Sequence, residues 1–161
     1  MISKNYSFSF EEYESIDELS KEDAMLLRKA MDATENSYAP YSQFRVGAAA
    51  KLANGEYVTG SNQENASFPV GLCAERVLLS AVASLFPKTA IDTIAISYKA
   101  DKAPSDHPIA PCGVCRQTLQ EFEERTNHPV RLILGGMKGK IIIIPSASML
   151  LTLAFDKEEL G

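Results

Sequence analysis

The chain has 161 residues, 45% of them hydrophobic and 23% charged, with a formal net charge of -5 from 21 acidic and 16 basic side chains. Such a length suits one domain with a core that stands without disulfides, and the composition excludes fibre, disorder and membrane classes. An acidic balance with scattered bases speaks against a phosphate-backbone binder, which presents a basic face, so no nucleic-acid partner is expected.

Residues 1–18 form an acidic extension, in which Glu11, Glu12, Glu14, Asp17 and Glu18 stand against Lys4 while Tyr6, Phe8 and Phe10 alternate with serines. The alternation predicts a short strand added to a sheet edge; a loosely held acidic tail is the alternative. Met1 to Phe10 has neither an apolar run nor a cleavage-like site, and no stretch approaches the roughly 18 apolar residues of a membrane span. A cytoplasmic protein without a membrane partner is expected.

Ser20 with Asp23 three residues on makes a capping-box-like start, and Ala24, Leu27, Ala30, Met31 and Ala33 recur at helical spacing as far as Asn36. Ala39-Pro40-Tyr41-Ser42 ends that helix. Arg45 to Leu52 reads as a strand, Asn54-Gly55 as a two-residue hairpin turn and Tyr57 to Ser61 as the return strand. The hairpin leads into Asn62-Gln63-Glu64-Asn65, which on its own reads either as a loop or as a binding shelf. Apolar residues at 77, 78, 81, 82 and 85 predict a helix over Ala74 to Leu85, ended by Pro87. Ile91 to Tyr98 is a strand, and Lys99 to Pro111, with three prolines, a long loop of the kind that carries function. Cys112 to Thr126 follows as a helix with proline at its start. Val130 to Leu134 and Ile141 to Ile144 are apolar strands, and Ser146 to Leu153 a short final helix. Alternating strands and helices imply an α/β sandwich.

All three cysteines fall in two short stretches, Cys73-Ala74-Glu75-Arg76 and Pro111-Cys112-Gly113-Val114-Cys115-Arg116-Gln117. An odd cysteine count with a C-x-x-C fits a reducing compartment, where such patterns bind metal or do redox work. Three thiolates, Cys73, Cys112 and Cys115, can fill three corners of a tetrahedral zinc site and leave the fourth for water. A C-x-E followed by P-C-x-x-C is the pattern of zinc-dependent base deaminases, in which the glutamate moves protons and is not a ligand. Glu75, two residues after Cys73, points elsewhere than the thiol on a helix and suits that role. Cys112 and Cys115 share a helix face, and helix N-termini favour thiolate at such positions. Arg76 and Arg116 are candidates to donate to the sulfurs from outside the ligand set and offset its negative charge. His107 is the alternative fourth ligand, and His128 reads as a surface loop residue. A redox pair and a closed structural zinc site are the rival readings of the C-x-x-C; Cys73-x-Glu75 and the lack of a fourth cysteine count against both.

Ala39-Pro40-Tyr41-Ser42-Gln43-Phe44, Arg45-Val46-Gly47-Ala48, Asn62-Gln63-Glu64-Asn65-Ala66, the two cysteine stretches, and Leu150-Leu151 followed by Phe155 together closely resemble the short, single-domain cytidine deaminases. The likeness runs from about Leu19 to Phe155 and marks residues 19–161 as a catalytic domain. It implies a three-layer sandwich with a central mixed five-stranded sheet flanked by helices, one Zn²⁺ per subunit, and hydrolytic deamination of cytidine and 2'-deoxycytidine in pyrimidine salvage. By the same likeness, Asn62 and Glu64 hold the ribose hydroxyls and Phe44 packs on the pyrimidine. The amide of Ala74 holds the ring O2, and the carbonyl of Ala110 accepts from the leaving amino group. Phe155 resembles the phenylalanine that closes a neighbouring subunit's site in a homotetramer. Ser67-Phe68-Pro69-Val70-Gly71 departs from the family's Tyr-Gly pair and Thr, and Leu151-Thr152 lacks its usual proline. Rival substrates are an aminoacylnucleoside antibiotic, disfavoured by the intact Asn62 and Glu64, and a polynucleotide, disfavoured by the missing basic or aromatic strand-binding face.

Overall fold

The computed structural model describes residues 1–160; Gly161, the last residue of the expected catalytic domain, lies outside them. Its strands are β1 (Glu11–Tyr13), β2 (Phe44–Leu52), β3 (Tyr57–Ser61), β4 (Ile91–Ala100), β5 (Arg131–Gly135) and β6 (Ile141–Ile144). They form one mixed sheet in the order β1-β6-β5-β4-β2-β3. β4 and β5 pair in parallel and the other neighbours antiparallel. A parallel neighbour needs a crossover, and helix α3 (Gly113–Thr126) provides it.

Helix α1 (Lys21–Ala33) covers one sheet face, where Leu26, Leu27 and Ala30 meet Ala49, Ala95, Ile133 and Ile143. Helix α2 (Ala74–Leu85) and α3 cover the other, where Leu78, Leu79, Val82 and Leu119 meet Ala48, Ala50, Ile94, Ile96, Leu132 and Leu134. This is the expected three-layer sandwich. A sheet covered on both faces needs apolar side chains at successive positions, which is why Ala48-Ala49-Ala50 and Ile141–Ile144 do not alternate with polar residues.

Ser20 caps α1 by accepting from the Asp23 amide at 3.1 Å. The Asp23 carboxylate takes two hydrogen bonds, 2.6 and 3.0 Å, from Arg131 on β5. That guanidinium holds the Asp23 carboxyl below its ordinary pKa and fastens the first turn of α1 across the sheet. The helix tightens into a 3-10 turn over Thr34–Asn36, the end expected from the sequence.

Three elements differ from the sequence reading. The N-terminal strand exists and adds a sixth strand at the sheet edge, but it is Glu11–Tyr13; residues 6–10 form no strand. Its ladder runs from Glu11 opposite Ile143 to Tyr13 opposite Ile141, with Tyr13 packed on the core beneath α1, and the exposed Lys140 adds ion pairs to Glu12 at 2.6 Å and Glu14 at 3.4 Å. The β2–β3 turn uses three residues, with Leu52 donating to the Glu56 carbonyl at 2.9 Å and Gly55 at φ +86°. Asn54 does not share that left-handed conformation; instead its side chain accepts from the Glu56 amide at 3.1 Å, so the two-residue turn, which needs positive φ at both central positions, is not formed. The final helix is only a 3-10 turn, Ala147–Leu150, and Leu153 at φ 56° takes the chain out of any helical path.

The approach of α2 to the sheet matters most for function. A Cβ added at Gly60 on β3 would lie 2.6 Å from the Leu78 amide nitrogen and 2.7 Å from the Ala74 carbonyl oxygen. Both are backbone atoms and cannot swing aside, so Gly60 lets the helix bed directly on the strand. Gly60→Ala is expected to cost about 1–3 kcal/mol, measured by chemical denaturation; wild-type stability in this variant would show that α2 can shift freely.

Candidate active site

Cys73 stands at the N-cap of α2 and Cys112 at the N-cap of α3, with Pro111 one residue outside that helix instead of at its first position. The two helix starts face each other across the sheet end. Their Sγ atoms are 3.8 Å apart, and Cys112 Sγ lies 3.5 Å from that of Cys115, one turn into α3. All three sulfurs lie within 4.8 Å of one another. Tetrahedral zinc with Zn–S bonds of about 2.3 Å requires sulfurs about 3.8 Å apart, so the donor set fits that ion and leaves the fourth position open. Among the described residues no other potential ligand joins the cluster. His107 lies apart, its Nδ1 3.1 Å from the Tyr98 hydroxyl.

The sulfurs also perturb one another. Cys73 is pulled down to about 6, chiefly by a hydrogen bond from the Cys115 thiol, while Cys115 is pushed up by the same contact and by burial. A divalent cation would replace that shared proton and hold all three as thiolates. Glu75, on the first turn of α2, is 5% exposed, and burial raises its pKa above the usual carboxyl range.

Cys73, Cys112 and Glu75 line a cavity of about 770 Å³ together with Phe44, Asn62, Glu64, Leu72, Ile109 and Ala110. Asn62 is clamped to β2, accepting from the Val46 amide at 2.7 Å and donating to the Phe44 carbonyl at 3.0 Å. Glu64 accepts from the amides of Tyr41 at 2.8 Å and Ser42 at 3.3 Å. What burial it has opposes ionisation, but the bonds from Ser42 and Tyr41 outweigh it and hold the carboxyl below its ordinary pKa. Ala74 is the first residue of α2, where amides have no acceptor within the helix.

Arg76, Arg116 and Phe155 stand outside the cavity wall. The Arg76 amide donates to the Cys73 carbonyl at 3.1 Å, while its side chain has no hydrogen-bond or ion-pair partner among the described residues and acts on Cys73 through its charge, one of the influences that lower that thiol. Arg116 does not face the sulfurs: Nε donates to the Pro111 carbonyl at 2.8 Å and Nη1 to the Leu150 carbonyl at 3.1 Å, tying the start of α3 to the C-terminal segment. Phe155 has its carbonyl held by Gln117 at 2.8 Å, and its ring, 60% exposed, is not part of the cavity wall. Tyr98, which stacks on Phe44 with ring centroids 5.0 Å apart, was not singled out by sequence reasoning; its signal would have been the β2–β4 register, which no local pattern contains.

A family model described as the cytidine and deoxycytidylate deaminase zinc-binding region matches residues 20–128. The cytidine deaminase of Halalkalibacterium halodurans is 37% identical over 137 residues, covering 85% of this chain and 96% of its own. That of Sporosarcina psychrophila is 36% identical over 138 residues, covering 84% and 93%. The crystal structure of the cytidine deaminase from Burkholderia pseudomallei matches with a TM-score of 0.72 at 34% identity, over 85% of this chain and 100% of that one. Fold and cysteine cluster together define a zinc-binding hydrolytic deaminase. The chain belongs to the cytidine and deoxycytidylate deaminase family.

Cys115 is fully buried, so its sulfur cannot be replaced from solvent. Cys115→Ser is expected to bind zinc at least about 100-fold more weakly, read by competition with a chromophoric chelator; unchanged affinity would remove Cys115 from the ligand set.

Proposed function

We propose that this protein hydrolyses the 4-amino group of cytidine and 2'-deoxycytidine, giving uridine and 2'-deoxyuridine with ammonia, in pyrimidine salvage in the cytoplasm. The observation that carries the reading is a buried carboxyl, Glu75, in the wall of a cavity that Cys73 and Cys112 of the three-cysteine cluster also line. Relatives named cytidine deaminase at 36–37% identity support the same substrate.

Cys73, Cys112 and Cys115 would hold the zinc, which when bound supplies a Lewis acid that makes water a competent nucleophile near neutral pH. Glu75 takes one proton from the attacking water and passes it to the ring nitrogen N3 as C4 becomes tetrahedral, then takes the second from the new C4 hydroxyl and gives it to the amine as the C4–N bond breaks and the carbonyl forms. Its upward shift through burial suits a group that must both accept and give protons near neutrality. The amide of Ala74 donates to the ring O2, and the Ala110 carbonyl accepts from the amino group. Phe44 packs against the ring face, while Asn62 and Glu64 take the ribose hydroxyls. Glu64 keeps acceptor capacity for this beyond its bonds to Tyr41 and Ser42.

Residues 19–161 form the catalytic domain in this reading and residues 1–18 an extension docked through β1. The assembly is a homotetramer in which Phe155 of one subunit closes the cavity of another. The exposure of Phe155 and its absence from its own cavity wall, with the exposed Phe68 and Leu72 in that wall, support it. Among the described residues no helix is long and apolar enough to cross a membrane. A net charge of -5 favours a nucleoside over a polynucleotide.

Glu75→Gln is expected to lower kcat on cytidine by about 10²–10⁴-fold while zinc content stays at the wild-type level. Loss of cytidine absorbance and metal analysis on the same sample measure both; a variant that keeps turnover would overturn the mechanism.

A further inference from the structure

Tyr98 is 1% exposed and belongs to neither the cysteine cluster nor the cavity lining, yet it touches Phe44 in the cavity wall and, through His107, the loop that carries Ile109 and Ala110 into that wall. On one side lies Phe44. β2 and β4 pair Val46 with Tyr98 and Phe44 with Ala100, so Phe44 and Tyr98 are diagonal neighbours on the same sheet face, within reach of aromatic side chains. Their rings stack at 5.0 Å with 19° between planes. Tyr98 is therefore the surface on which Phe44 rests.

On the other side lies the loop between β4 and α3. The Tyr98 hydroxyl has one proton to give and sits 3.1 Å from His107 Nδ1 and 3.5 Å from the Pro104 carbonyl. The His107 ring also meets the Tyr98 ring edge-on at 5.7 Å. Ile109 and Ala110, two and three residues further on, line the cavity opposite. The same loop is fixed at Ser105, whose carbonyl accepts from Met137 at 2.7 Å, and at Pro111, held by Arg116 at 2.8 Å. Between those points the Tyr98–His107 contact is the tie next to Ile109 and Ala110.

We infer that Tyr98 is a positioning residue of the base pocket: its ring backs Phe44 and its hydroxyl anchors the loop that presents the Ala110 carbonyl, so one side chain sets the gap between them. The inference rests on the proposed roles of Phe44 and Ala110 toward the pyrimidine. A single buried side chain joining both walls orders them during folding, which lowers the entropy that the base must overcome on binding.

The two contacts separate by substitution. Tyr98→Phe keeps the stack and releases the loop. It is expected to raise KM for cytidine about 3–10-fold, the loss of one hydrogen bond, with kcat within about twofold, as for binding lost equally in ground and transition states. The inhibition constant of uridine, which lacks the 4-amino group that Ala110 would accept from, is expected to stay within about twofold. Tyr98→Leu removes the stack as well and weakens cytidine and uridine alike. His107→Ala, which removes the ring but leaves the hydroxyl its Pro104 carbonyl, should give part of the Tyr98→Phe effect, and the double variant should add nothing to Tyr98→Phe. Zinc content and melting temperature of Tyr98→Phe are expected at wild-type values. An unchanged KM for cytidine in Tyr98→Phe overturns the inference, as does an equal weakening of uridine or a loss explained by lower zinc content or stability. Wild-type protein that holds zinc but leaves cytidine intact overturns the functional reading, and this one with it; wild-type turnover with an indifferent Tyr98→Phe overturns the role of Tyr98 alone.

Discussion

Two helix N-termini brought to one point on a sheet face are the constraint on which the site depends. Cys73 and Cys112 occupy the N-caps of α2 and α3, and neither side chain caps its helix. Serine, threonine, aspartate or asparagine at each position would stabilise its helix by about 1 kcal/mol. The positive ends of two helix dipoles also face each other, which is unfavourable unless something anionic lies between them. The sulfur cluster meets both demands. Hydrogen bonding from the Cys115 thiol, with a smaller part from Cys112, pulls Cys73 down to about 6, so the cluster by itself favours one thiolate, and three thiolates around a divalent ion leave only a single negative charge for the dipoles to balance.

The same packing that brings the helices together buries Glu75. Because α2 beds directly on Gly60, its first turn is pressed against the sheet, with Ala74 fully buried and Glu75 nearly so. A carboxyl two residues from a helix cap would ordinarily be solvated and acidic. Here burial raises its pKa. One small residue on β3 thus controls both where the metal-binding turn stands and how strongly the carboxyl beside it holds a proton.

Much of this was legible in the sequence, and the division between what was and what was not has a physical basis. Helix α2 was readable residue for residue because its apolar spacing and Pro87 are local signals, and the cysteines and Glu75 because metal geometry restricts spacing. The N-terminal strand was displaced by several residues from its aromatic alternation, since its register depends on pairing with Ile141–Ile143 and on the seat of Tyr13 against the core, both distant in sequence. Arg116 was expected at the sulfurs and instead spans Pro111 and Leu150; the carbonyl of Leu150, 34 residues on, leaves no trace in the pattern around Cys115. The expected Asn54-Gly55 turn gained a residue because the Asn54 side chain bonds the Glu56 amide, a competing use of asparagine that dipeptide statistics do not distinguish.

Asn62 and Glu64 show why a polar stretch could be read as either loop or shelf: both descriptions hold. Asn62 spends its carbonyl and one amide hydrogen on the backbone of Val46 and Phe44, and Glu64 spends part of its acceptor capacity on Tyr41 and Ser42. These bonds fix the chain from Tyr41 to Val46, and so fix Phe44. The residues proposed to take the sugar therefore also aim the residue proposed to take the base. Ordering the shelf is completed during folding, which lowers the entropy that a ligand must overcome on binding. It also means that substitution at Asn62 disturbs the base wall along with the sugar contact, so that loss of affinity there reports on both ends of the nucleoside at once.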